Sequence, residues 1–294
     1  RGRFCLTLRA GQSSERGRMP ALSLMDGPQI MGIVNVTPDS FSDGGEFSSH
    51  AAAIDQGRTL AADGAHIIDV GGESTRPGAG TVSAEVEIAR VLPVIKALAK
   101  DGIKVSVDTS KPEVMDAAVD AGACMINDIY ALRRPGALEA AARMDVPVCL
   151  MHMQGTPATM QDAPCYEDLG GEIREFLESR IHACDLAGVD RERIVIDPGF
   201  GFGKTRQHNH TLITQLGGFM GMGVPVLIGV SRKKFVRSLA QTGSRQTIDS
   251  VSALLALMAV EQGARFVRVH NVDATRRLLG QAYGLAPAAR SPLN

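Results

Sequence analysis

Six polar residues stand where chemistry could be done: Asn35, Asp108, Asn127, Asp197, Ser231 and His270, each at or just beyond the carboxyl end of a short apolar run. Asp69 lies inside such a run, and Arg268 alternates with Phe266, Val267 and Val269. A lone Asp at a strand end usually caps the helix that follows. Capping does not account for so many strands ending alike. Nor does it explain an aspartate and an arginine among apolar neighbours, where an unpaired charge costs several kcal/mol. The loops beside these residues have ligand-site composition. Gly71 to Gly78 carries Arg76 between glycines, and Asp197 to Lys204 joins a carboxylate to three glycines and two phenylalanines. Gly203-Lys204-Thr205 imitates a phosphate-cradling loop, but that pattern needs a glycine where Pro198 stands, so the signal fails. Ser231-Arg-Lys-Lys234 opens a helix, and lysines at a helix N-terminus favour anions.

These residues need elements to position them. The runs at 30–34, 65–70, 103–108, 123–128, 146–152, 193–197, 224–230 and 265–270 have strand length and strand composition. Gly64, Gly102, Gly122 and Gly263 precede several of them, as glycine does just past a helix end. Helical stretches lie between, at 51–62, 84–100, 112–121, 136–144, 168–187, 247–261 and 273–283. The segment Gln207-His-Asn-His210 reads as a solvated loop. Strand then helix, repeated eight times with near-continuous apolar strands, predicts an α/β fold: a closed (β/α)8 TIM barrel in one domain over residues 30–286. An open doubly wound sheet is the runner-up, disfavoured because no unit has a G-x-G-x-x-G turn. In a barrel, all the strand ends named above ring one pocket.

Composition excludes several classes. The chain has 294 residues, a formal charge of −1 and 4% aromatics, so bulk nucleic-acid binding has no electrostatic support. No apolar run approaches a membrane helix. The five cysteines form no C-x-x-C pair and read as reduced core residues of a cytoplasmic protein, not a zinc site. Residues 1–29, rich in arginine, read as a short strand or hairpin with a loose loop in preference to a targeting segment, and 287–294 as a tail.

Met31-Gly-Ile-Val-Asn-Val-Thr-Pro-Asp-Ser-Phe-Ser-Asp-Gly-Gly45 resembles the first signature of the dihydropteroate synthase family of pterin-binding enzymes, and Ile68-Asp-Val-Gly-Gly-Glu-Ser-Thr-Arg-Pro-Gly78 the second. Ser106 to Pro112, Ile126 to Ile129, Asp197 to Lys204, Ser231 to Lys233 and Arg268 to His270 are similar to the rest, in order. The resemblance implies condensation of 6-hydroxymethyl-7,8-dihydropterin pyrophosphate with p-aminobenzoate, releasing pyrophosphate, with Mg²⁺ as cofactor. It also implies a barrel that forms homodimers and is the sulfonamide target. Asn35, Arg76, Asp108, Lys233, Arg268 and His270 are the implied catalytic set. The implied pterin site is Asp108, Asn127, Met151, Asp197, Phe202, Lys233 and Arg268. Asn35, Thr75, Arg76, Arg268 and His270 would take the pyrophosphate, Asn35 through the metal. Phe41, Pro77, Phe202, Ser231 and Lys233 would take p-aminobenzoate, with the 39–45 and 76–80 loops ordering over the substrates. Asn271 stands where an Asp commonly follows the histidine, with little effect expected. The alternatives are a methyltetrahydrofolate-type methyltransferase domain, which would have no use for Glu73 to Arg76, and a barrel that binds pterin without catalysis.

Overall fold

The computed structural model describes residues 27–37, 45–75 and 80–283. Eight strands form one all-parallel sheet: β1 (Gln29–Asn35), β2 (Ile67–Gly71), β3 (Val105–Asp108), β4 (Met125–Asp128), β5 (Val148–Met151), β6 (Ile194–Asp197), β7 (Leu227–Ile228) and β8 (Phe266–Val269). The order is β6-β5-β4-β3-β2-β1-β8-β7. A parallel bridge between Ile196 and Val226 joins the two ends, and the Ile196 N–H donates to the Pro225 carbonyl at 2.9 Å. The expected barrel is therefore present, closed between β6 and β7 by a single bridge. Regular pairing in β7 covers only Leu227 and Ile228 of the 224–230 run, and Pro225 before it has no N–H to give. The expected N-terminal strand and the 287–294 tail lie outside the described residues.

Nine α-helices lie among the described residues: α1 (Gly45–Ala62), α2 (Ala84–Lys100), α3 (Pro112–Asp120), α4 (Ala137–Arg143), α5 (Leu169–Leu186), α6 (Arg206–Thr214), α7 (Lys234–Ala240), α8 (Arg245–Glu261) and α9 (Val272–Tyr283). Their ends have ordinary causes. Ser83 caps α2 by accepting from the Val86 N–H, with Glu85 and Glu87 in the first turn and Lys100 in the last. Gly64, Gly102, Gly122 and Gly263 all take positive φ, which bears out the helix-stop signal. The 207–210 segment corrects the sequence reading, because it lies in α6 and is not a solvated loop. Thr205 accepts from the His208 N–H, and His208 Nδ1 accepts from the Thr205 N–H. A capping box with histidine in the Glu/Gln position hides the usual signature.

Strand side chains alternate between two cores. Ile30, Ile68, Val107, Ile126, Leu150, Ile196 and Val267 face the helices. Met31, Ile67, Met125, Cys149, Val195, Leu227 and Phe266 form a separate buried cluster that fills the barrel. Two residues further along the same strands stand Asp69, Asn127, Met151, Asp197 and Arg268, so these point inward above that filling. Among the described cysteines, Cys149 and Cys184 are buried, Cys124 is partly buried and all are free. Cys165 is exposed, which corrects its reading as a core residue; it sits in the long segment between β5 and α5. No helix among the described residues is long and apolar enough to cross a membrane.

Phe266 is fully buried in the barrel filling. Phe266→Ala should cost about 3–5 kcal/mol, the usual loss for a buried phenylalanine. The measurement is the midpoint of a urea unfolding curve.

Candidate active site

The carboxyl ends of β2, β3, β4 and β8 meet in one charge network. Arg268 donates from Nε to Asp69 Oδ2 at 2.6 Å and from a terminal nitrogen to Asp108 Oδ2 at 2.7 Å. Asn127 Nδ2 donates to the same Asp69 oxygen at 3.1 Å, which fixes the orientation of its amide. Burial pushes the Asp108 carboxyl up from its usual range, and the Arg268 guanidinium pulls against that. The neighbouring Asp69 and Asp108 carboxylates hold the Arg268 pKa above its ordinary value against its burial. Arg268 stays charged.

A second group surrounds the end of β6. Asp197 is buried, and its Oδ1 accepts from the Gly199 N–H at 2.7 Å. Its other oxygen has no hydrogen bond among the described residues. Burial raises the Asp197 carboxyl, while Lys233 and the Gly199 N–H oppose the rise. Lys233 is pushed down to about 8, chiefly by burial. Its ammonium donates to the Phe200 carbonyl and lies 4.5 Å from the Phe202 ring centroid. The loop from Pro198 to Lys204 allows this approach because Gly199, Gly201 and Gly203 all have positive φ. A Cβ on Gly199 would come within 1.8 Å of the His152 carbonyl oxygen, so only glycine fits there. Met151 packs with Ile129, Met153 and Met160, with Phe202 against them, as an apolar neighbour of Asp197.

The third group joins β7 and β8. Ser231 Oγ accepts from the His270 N–H at 3.2 Å and lies 3.0 Å from His270 Nδ1. The Ser231 hydroxyl therefore fixes the orientation of the His270 ring at the barrel mouth. His270 is neutral, held down to about 3 by burial with Arg232 and Arg268 nearby. The turn between Ser231 and Lys233 is strained. Arg232 has φ +57° and is held by a two-point ion pair with Asp249 of α8, at 2.6 and 2.8 Å. Asn271 is not idle: it donates to Asp249 at 3.0 Å and accepts from the Ala274 N–H at the start of α9.

The structure thus brings Asp108, Asn127, Met151, Asp197, Phe202, Ser231, Lys233, Arg268 and His270 to one mouth of the barrel. Asn35 ends β1 beside Gly71 of β2, partly exposed, with no side-chain hydrogen bond among the described residues. Thr75 lines a cavity of about 20 Å³ with Glu73, Asp108 and Lys111. Phe41, Arg76 and Pro77 lie outside the described residues. A larger cavity of about 330 Å³, lined by Asp168, Arg174, Leu212 and Phe219, contains none of the strand-end residues.

Three residues without a role in the sequence reading belong beside this group. Asp69 anchors both Arg268 and Asn127, and its place in an apolar run was the signal. Lys111 is buried and pairs with Glu73 and Glu87, tying the β2–α2 loop to the base of α3. Lys204 is buried against His152, and nothing in the sequence pairs those two.

Comparison with known proteins agrees with this geometry. The family model described as pterin binding enzyme matches residues 31–270. The dihydropteroate synthase of Escherichia coli strain K12 is 49% identical over 249 residues, covering 84% of this chain and 88% of its own. That of Haemophilus influenzae is 47% identical over 253 residues, covering 86% and 92%. The Xanthomonas albilineans dihydropteroate synthase solved with 4-aminobenzoic acid superposes with a TM-score of 0.82 at 49% identity, over 89% of this chain and 95% of that one. The Yersinia pestis enzyme solved with a sulfonamide drug gives 0.84 at 45% identity, over 92% and 98%. The methyltransferase and non-catalytic readings of the sequence give way to these matches: the chain belongs to the pterin-binding enzyme family, as one of its dihydropteroate synthases.

Proposed function

We propose that the strand-end ring divides the condensation of dihydropterin pyrophosphate with p-aminobenzoate among its residues as follows. Asp197 takes the pterin edge, where an N–H and an amino group lie side by side and suit one carboxylate. The observation behind this assignment is a buried carboxylate with one oxygen bound to Gly199 and the other without a hydrogen bond among the described residues. Asn127 pairs another part of the ring, with its amide orientation set by Asp69. Arg268 offers its flat face to the pterin while its edge stays fixed on Asp69 and Asp108. Met151 supplies an apolar contact.

Pyrophosphate binds to Thr75, Arg76, Arg268 and the His270 ring. The pterin methylene C–O bond breaks first, and its electron pair leaves with the pyrophosphate. The delocalised pterin cation is then attacked by the aniline nitrogen, which loses a proton as the C–N bond forms. Phe41, Pro77 and Phe202 bound the flat slot for p-aminobenzoate, and Ser231 with the start of α7 takes its carboxylate. Lys233 borders both substrates. Fixed cations aimed at the departing oxygens act where charge develops. Asn35 fits a magnesium site, offering one hard oxygen donor, and Mg²⁺ is ordinarily held by one or two protein oxygens with phosphates and water. A magnesium ion held there would supply neutralisation of charge on the leaving group.

A homodimer is part of the proposal. Leu254 and Met258 lie one turn apart on α8 at 49% and 38% exposure. Apolar residues grouped in this way support a face covered by a second copy. A cytoplasmic setting is supported by free cysteines, the exposed Cys165 among them. Relatives solved with a sulfonamide support sulfonamide binding here.

Four outcomes test the reading. With dihydropterin pyrophosphate, p-aminobenzoate and Mg²⁺, the chain should release pyrophosphate and form dihydropteroate. In Asp197→Asn, pterin affinity by calorimetry should fall by about 2–4 kcal/mol, roughly 30- to 1000-fold; a change under threefold would refute the assignment. Lys233 is protonated below about 8 and neutral above it. A kcat/KM profile should therefore fall as pH rises through about 8, and that limb should vanish in the residual activity of Lys233→Gln. Sedimentation should give twice the chain mass, and Leu254→Asp should give the single chain.

A further inference from the structure

Lys204 is a buried lysine that the reaction does not use. It ends the loop that carries Asp197 and Phe202, and its side chain reaches to His152, just past the end of β5. Its Nζ lies 2.9 Å from His152 Nδ1, donates to the Phe202 carbonyl at 3.1 Å and sits 6.0 Å from the Tyr166 ring centroid. Both Lys204 and His152 are about 5% exposed or less. His152 is held neutral by burial and by Lys204, so its Nδ1 can accept. An amine buried this way is costly unless its bonds are needed. An apolar replacement would leave two buried acceptors unpaired.

The need is visible in the loop. Three glycines in seven residues make it expensive to order. It is fastened from several sides: Gln161 donates to the Gly201 carbonyl, Asn209 accepts from the Gly201 N–H and Tyr166 donates to the Gly203 carbonyl. Phe202 is a half-buried aromatic of this loop, with Lys233 in front of its ring. The bond that fixes the carbonyl of Phe202 itself comes from Lys204 behind it.

We propose that Lys204, braced by His152, is a positioning residue that holds the Phe202 ring in place as a wall of the p-aminobenzoate slot. This rests on the assignment of Phe202 to that slot. Lys204 touches neither substrate and supplies no proton. Its removal lets the Phe202 backbone shift, and small displacements of a positioning group are felt strongly in turnover.

The test is a double-mutant cycle in the full chain. Lys204→Met should raise KM for p-aminobenzoate about tenfold, with pterin affinity changed less than twofold, and should speed amide hydrogen exchange over 199–203. Phe202→Ala should also raise that KM, and adding Lys204→Met to it should change KM less than twofold further, since coupled residues are not additive. A purely structural lysine would instead add its full effect in both backgrounds, which would overturn the proposal. Should Lys204→Met fail to fold, His152→Phe keeps ring packing on Phe176 and removes the acceptor; the expected effect is about threefold on the same KM, and no change would overturn the proposal. Faster exchange in Lys204→Met with KM unchanged, both there and in Phe202→Ala, would overturn it through the slot assignment and not through the clamp.

Discussion

A guanidinium shared between two carboxylates inside a barrel is the constraint on which the rest of the site depends. Arg268, Asp69 and Asp108 come from β8, β2 and β3, so the ion pairs tie strands that are distant in sequence. None of the three could be buried alone. An arginine cannot shed its proton, and an isolated carboxylate would be neutralised. Together they form a rigid charged floor on which a polar aromatic ring can lie. Asn127 takes its orientation from the same Asp69 oxygen, so one carboxylate sets the angle of two strand-end groups. Removing one member would leave the others unpaired, and such a change is far more damaging than replacing the whole set with apolar residues.

The strand period explains how a hydrophobic barrel comes to hold so many charges. On the inward faces of four strands an apolar residue lies first and a polar one lies two positions on: Ile67 then Asp69, Met125 then Asn127, Val195 then Asp197, Phe266 then Arg268. The lower layer supplies burial and excludes water from below. The upper layer is then screened poorly by solvent, which is why Lys233 and His270 both sit below their ordinary ranges. Packing therefore tunes the groups above it.

The eight strands and the strand-end positions of Asp108, Asn127, Asp197 and His270 were legible from the sequence, because apolar runs that stop in polar residues are a local signal. Roles that depend on distant partners were not. Asp69 could be seen as a buried charge, but its partner is 199 residues away. Lys204 looked like the end of a phosphate loop, and only the parallel pairing of β5 with β6 brings His152 to it. The 207–210 segment lacks apolar periodicity, and its cap uses an unusual residue, so α6 had no clear signature. Phe41, Arg76 and Pro77 keep the roles implied by resemblance alone.

The closure between β6 and β7 has a mechanical meaning. Every other neighbouring pair of strands shares a ladder of pairings, whereas this one has a single bridge at Ile196 and Val226. Asp197 stands on one bank of that join, and Ser231 with Lys233 on the other. The Asp69–Arg268–Asp108 ties run across the opposite, fully laddered side. Breathing of the cylinder therefore has a preferred slit: it would alter the spacing between the two banks while the charged floor kept its shape.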